Sequence, residues 1–156
     1  MTIKISPHFT RAEFERDDSV IPDEAIVDAY VQLCVQILEP LRAWAGEPFY
    51  ITSGYRSPEV NARIGSDRSS QHIATANYCA VDGYFESHPT MEAPFNWLRL
   101  GSRLLFDQII REDGKYRAVL HISWAREPRR MALEGKTYGQ ATYTAAYVAP
   151  ITTEAT

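Results

Sequence analysis

The chain has 156 residues, 45% of them hydrophobic and 23% charged, with a net charge of −4. That length suits one domain with a single core, and the mix excludes wholesale disorder, collagen-like repeats and a coiled coil. The acidic balance argues against a nucleic-acid binder held by phosphate contacts. No apolar run approaches the ~20 residues of a membrane span, and Met1 to Thr10 hold no apolar stretch of the kind a signal peptide carries. Cys34 and Cys79 sit among apolar neighbours and are expected as buried thiols, not a disulfide.

Thr10-Arg11-Ala12-Glu13 reads as a capping box, with Phe9 and Phe14 spaced for a hydrophobic staple. Pro22-Asp23 opens a longer helix whose stripe is Ile26, Tyr30, Leu33, Ile37, Leu41 and Trp44, kinked by Pro40 and ended by Gly46. Phe49 to Thr52 is a short strand. Ser57-Pro58 starts a helix that stops near Gly65, with Ser as N-cap and Pro at the first helical position. A polar loop follows to Gln71. Tyr78 to Phe85 reads as a strand. Pro94 to Arg103 reads as a helix, with Phe95, Leu98 and Leu105 roughly on one face. Leu104 to Glu112 and Tyr116 to Trp124 form a hairpin around Asp113-Gly114. From Gln140 to Thr156 only Glu154 is charged. This run is expected as an extended tail with no core of its own, following a domain over 1–139. The predicted class is α+β, with helices on one face of a small antiparallel sheet.

Of four histidines, His8 precedes a helix cap and His88 precedes a proline; both read as ordinary surface residues. His72 ends the polar loop. Asp82 lies in the apolar strand Cys79-Ala80-Val81, where a buried carboxylate needs a partner. His121 is mid-strand too. Two histidines and a carboxylate near strand centres make either a three-ligand zinc site, with a fourth position for water, or a core histidine bonded to a strand aspartate.

Several pieces occur together and in order: Pro7-His8-Phe9-Thr10-Arg11-Ala12-Glu13-Phe14, Leu38-Glu39-Pro40-Leu41-Arg42, Ser53-Gly54-Tyr55-Arg56-Ser57-Pro58 with Asn61, Ser70-Gln71-His72, Ala80-Val81-Asp82, Phe106-Asp107-Gln108 and His121-Ile122-Ser123. With them the chain resembles the zinc D-alanyl-D-alanine carboxypeptidases and related phage endolysins, of the superfamily shared with lysostaphin-type peptidases and the hedgehog domain. The resemblance implies His72, Asp82 and His121 as zinc ligands and a peptidase acting on peptidoglycan stem peptides. It implies a phage product, in the host cytoplasm before lysis or in the virion. The alternative it leaves is a virion structural or binding protein that keeps the fold without efficient cleavage. The interval between His72 and Asp82 is three positions longer than in the family, which is expected to bulge the loop beside the metal. Val119 stands where relatives often carry an aromatic residue.

A peptidase of this type needs a carboxylate beside the attacking water. The candidates are Glu112 and Asp107, and turn length separates them. A two-residue Asp113-Gly114 turn pairs Glu112 with Lys115 and puts Glu112 on the face of His121; a three-residue turn would put Asp107 opposite His121. The Asp-Gly pair favours Glu112, which also matches a glutamate of relatives. Arg56 is expected to bind a substrate carboxylate or oxyanion, Ser70 to orient His72 or a substrate group, and Tyr55 and Trp124 to pack. The apolar tail is expected to dock on another virion protein. No nucleic-acid or membrane partner is expected.

Overall fold

Local signals in the first half of the chain become elements nearly where they stand. The structure, a computed structural model, describes residues 1–153. Helix α1 (Arg11–Phe14) is held by Glu13, whose Oε2 accepts from both the Thr10 N–H and its hydroxyl at 2.7 and 2.9 Å. Phe9 and Phe14 meet at 6.2 Å between ring centroids. Asp23 caps α2 (Glu24–Leu33) by accepting from Ile26 N–H.

The expected proline kink takes a particular form. Pro40 has no N–H for the preceding turn. The helix widens over Cys34–Leu38 into a π turn, with Glu39 N–H bonded to the Cys34 carbonyl. It then restarts as α3 (Glu39–Ala45), with Pro40 in the first turn, where a missing donor costs least. Gly46 closes α3 at φ +69°, a left-handed cap suited to glycine. The stripe buries Ile26, Tyr30, Leu33, Ile37 and Leu41. Trp44 departs from it: 39% exposed, it stacks on Trp97 at 5.1 Å.

Strand β1 (Tyr50–Ser53) leads to α4 (Pro58–Arg63), whose cap Ser57 accepts from Val60 N–H. Strand β2 is Tyr78–Tyr84. The expected helix at 94–103 is shorter and starts earlier: α5 (Glu92–Asn96) runs into a second π turn, Trp97–Gly101. Leu105 lies beyond it and is exposed. The hairpin is β3 (Gln108–Asp113) and β4 (Ala118–Ala125), followed by β5 (Met131–Lys136) and β6 (Thr142–Ala146).

The α+β class holds, but the sheet is larger than expected and mixed. Its six strands run in the order β1-β2-β4-β3-β5-β6, with β3 and β5 parallel and the other pairs antiparallel. The segment expected as a docking tail with no core of its own supplies the last strand. Beyond β6 the chain returns to the domain, Ala149 N–H donating to the Arg99 carbonyl at 2.8 Å and Arg130 Nη1 to the Ala149 carbonyl at 2.7 Å. Residues 154–156 of that segment lie outside the described residues.

The hairpin also turns later than expected. Gly114 N–H donates to the Arg117 carbonyl, so the loop is Lys115-Tyr116, not Asp113-Gly114. A Cβ on Gly114 would lie 2.4 Å from the Arg117 oxygen, so the glycine allows the two chains to close there. Ile110 then faces His121, and Glu112 faces Val119. Moving a turn by two positions conserves the parity of every side chain. Glu112 therefore still shares a face with His121.

The two faces of the sheet have separate duties. Cys79, Val81, Ile109, Leu120, Ile122 and Ala132 are buried with the helices in one core. Tyr30 on α2 donates to the Ala80 carbonyl at 3.1 Å from that side. Cys34 and Cys79 are both free and buried there. Asp82, His121, Ile110 and Glu112 alternate to the opposite face, which forms the floor of a cleft.

Candidate metal centre and active site

Ser53 on β1, Asp82 on β2 and His121 on β4 lie opposite one another across three strands. A bulge between Ile51 and Ser53 shifts the β1 register so that its end meets Asp82. The chain then turns through Gly54. A Cβ there would lie 2.4 Å from the Phe14 carbonyl oxygen, so only glycine lets this turn rest on the end of α1. The Gly54 carbonyl in turn accepts from His72 Nδ1 at 2.7 Å. That bond selects the tautomer and leaves Nε2 as the free ring atom.

His72 Nε2 lies 3.2 Å from Asp82 Oδ2, and His121 Nδ1 lies 2.9 Å from Asp82 Oδ1. The two rings stand edge to face at 5.3 Å. One ligand atom from each of His72, Asp82 and His121 lies within 4.8 Å of the others. Two imidazoles and one carboxylate, all nearly enclosed at one end of a cleft, are the donor set of an open zinc site, and the Gly54 bond is the outer support such a histidine needs. The residues present therefore fit a zinc ion.

The electrostatics agree with that fit. Burial alone would raise Asp82, but the charges and hydrogen bonds of His72 and His121 hold its carboxyl far below the usual range. Burial alone would lower His72, and Asp82 more than reverses it. A carboxylate that holds a proton on His72 this way marks a place a divalent cation can enter by displacing that proton.

Ser70 accepts from His72 N–H at 3.3 Å, which steadies the histidine's backbone. Arg56 braces the β1 turn through Ser53 Oγ, at 3.1 and 2.9 Å, and lies 3.5 Å from Asp82 Oδ2. Asp17, unremarked in the sequence, completes this brace by accepting from Ser53 Oγ at 2.6 Å and Gly54 N–H at 3.1 Å.

The cleft has a volume of about 480 Å³, and Arg56, Ser70, Glu112, Arg129 and Tyr143 contribute to its walls. Glu112 is half-buried, and burial followed by the nearby Asp82 charge raises its carboxyl above the ordinary value. Asp107 is buried elsewhere and fully engaged: Arg129 reaches both its oxygens, at 3.0 and 2.8 Å, and Gln71 Nε2 donates to it at 2.7 Å. Its partners hold its carboxyl low against the effect of burial. That is the environment of a structural anion.

The long interval between His72 and Asp82 does not intrude on the cleft. Its extra residues close a tight turn, with Thr75 N–H bonded to the Tyr78 carbonyl and Arg126 N–H to the Asn77 carbonyl. The turn sits at the far end of β2, where Tyr78 faces Ala125. His8 pairs with Glu39 and His88 stacks near Trp44, both away from the site. Tyr55 and Trp124 are buried packing residues.

A histidine-aspartate-histidine cluster at the floor of an open cleft in an α+β fold defines a candidate metallohydrolase. The chain belongs to the Peptidase M15 family, whose model matches residues 7–93. That family is one of zinc-dependent peptidases, and the matched stretch includes His72 and Asp82 but ends before His121 and Glu112. No curated protein matches the chain.

Tyr143 and Arg129 line the cleft without having been singled out from the sequence. Arg129 reaches it through the irregular link between β4 and β5, and Tyr143 from β6, antiparallel to β5, whose own parallel pairing with β3 no local pattern reveals.

Proposed function

We propose that this protein is a zinc peptidase that hydrolyses peptidoglycan stem peptides, with His72, Asp82 and His121 as the metal ligands. The observation that carries the reading is their convergence in one cleft with Glu112 on the same sheet face. Bound zinc would supply a water of lowered pKa and polarisation of the scissile carbonyl. Glu112 takes the proton from the attacking water and returns it to the amide nitrogen as the C–N bond breaks, while the water oxygen remains on the carbonyl carbon. Burial and the nearby Asp82 charge raise its carboxyl above the ordinary value, the direction that helps it return the proton after taking it. Arg56 binds a substrate carboxylate or the developing oxyanion, being anchored by Ser53 and facing the cleft. The resemblance to phage endolysins supports a phage-encoded enzyme, released at lysis or carried in the virion. A non-catalytic virion protein would draw on an obstructed site; the turn directed away from the cleft weakens that alternative.

The test is release of new amino groups from purified peptidoglycan. The intact protein should carry about one zinc per chain and release amino groups. His121→Ala should lose the metal and the activity, and full zinc occupancy in that variant would remove His121 from the ligand set. Glu112→Gln should keep zinc and lose on the order of 10²–10⁴ in rate.

A further inference from the structure

We propose that Tyr143 is the positioning residue for Glu112, acting across the side-chain gap left by Gly135. The proposal rests on the reading of Glu112 as the base. Glu112 on β3, Gly135 on β5 and Tyr143 on β6 are register partners, so they form one row across three strands. Gly135 is the middle member and has no side chain. The Tyr143 ring lies in that space: a Cβ at 135 would sit 2.5 Å from its Cδ1 and 3.0 Å from its Cε1. By crossing the gap, the phenol brings its Oη to 3.3 Å from Glu112 Oε1. This is the one side-chain hydrogen bond Glu112 makes among the described residues.

The geometry has a chemical consequence. A glutamate on a strand facing an open cleft would sample several rotamers. Donation by Tyr143 engages Oε1, fixes the plane of the carboxylate and leaves Oε2 for the attacking water. Tyr143 is partly exposed and lines the cleft, so the hydroxyl stands where substrate enters. A ring laid over a strand glycine can also serve only as cover for the sheet. That role needs the ring and not the hydroxyl, which separates the two.

The experiment uses the full-length, zinc-loaded protein and purified stem peptide. Tyr143→Phe keeps the cover and should melt as the parent does. Its kcat should fall about 10- to 100-fold with KM within about twofold, because the lost interaction orients a catalytic group and does not bind substrate. Adding Tyr143→Phe to Glu112→Gln should slow it no further. A second reading is independent of turnover: the carboxyl ¹³C signal of Glu112, assigned by its loss in Glu112→Gln, should titrate at a higher midpoint in Tyr143→Phe. A kcat at the parental level in Tyr143→Phe, beside an inactive Glu112→Gln, overturns this proposal alone. So does an unmoved carboxyl midpoint. Full activity in Glu112→Gln overturns the base reading and this proposal with it.

Discussion

Gly54→Ala should damage fold and site together. The new Cβ would meet Phe14 backbone atoms at 2.4, 2.6 and 2.8 Å, whereas real Cβ contacts essentially never fall below 3.0 Å. Relief cannot come from a side-chain rotation, because the obstacle is the end of α1. The two segments must separate by at least ~0.6 Å, in a place where Tyr55 N–H donates to the Phe14 carbonyl at 2.7 Å. Overpacking of this kind costs about 2–3 kcal/mol, which lowers Tm by roughly 4–12 °C in a domain of this size. The same movement carries the Gly54 carbonyl away from His72 Nδ1. Losing an outer support of a metal histidine weakens binding by about 10- to 100-fold. The assay pairs thermal melts of the metal-free protein with zinc competition against a chelator. Gly101→Ala is the control, since its Cβ would meet only the Trp97 ring, at 3.7 Å. A Gly54→Ala variant that melts and binds zinc like the parent would refute the argument.

Zinc affinity should weaken as pH falls through the raised value of His72, since Nε2 must lose its proton to bind metal; chelator competition between about pH 5.5 and 8.5 reads this. For the metal-free protein the signs are opposite for the two groups. The His72 contribution to stability is complete below its ordinary value of 6.5 and lost as pH rises through the raised one. The Asp82 contribution is complete above 3.8 and lost as pH falls toward its depressed value. Melts against pH should therefore decline on the alkaline side in the absence of zinc. Asp107→Asn should lower stability by about 1–3 kcal/mol, by weakening the partners of a buried carboxylate, yet retain turnover; equal loss of rate in Asp107→Asn and Glu112→Gln would count against the assignment of the base. Deleting 140–156 removes a paired strand and Tyr143, so the monomer should lose at least ~2 kcal/mol of stability, seen as a lower Tm, and lose rate. An unchanged melt would return that segment to a free, docking role.

The elements nearest to local rules are legible in the sequence itself. The cap at Ser57-Pro58, the α2 stripe and the strand around Asp82 rest on contacts a few residues apart. The candidate cluster is legible in part because Asp82 and His121 are polar side chains in apolar strands, whereas His72, in a polar loop, joins it only through the family resemblance. What stayed hidden is non-local. Strand β5 carries a glycine, Gly135, and pairs parallel to β3, a link that arises only after β4 has intervened. Strand β6 has no alternation of apolar and polar residues because most of it is exposed. Turn propensity alone puts the hairpin on Asp113-Gly114. In the structure Asp113 pairs with Ala118 and Gly114 N–H bonds the Arg117 carbonyl, so the β3–β4 ladder continues and the turn moves outward by two positions. The face of Glu112 survived that error only because the displacement was even.

Along β4, Leu120 and Ile122 face the helices while Val119 and His121 lie on the opposite sheet face, the one that carries the cleft. Neighbouring positions in one strand thus answer to different demands. Substitutions on the cleft side can alter what is recognised while the helical layer keeps the backbone in register. This gives the scaffold room to acquire new specificities by single changes at alternate positions, without first finding a new way to fold.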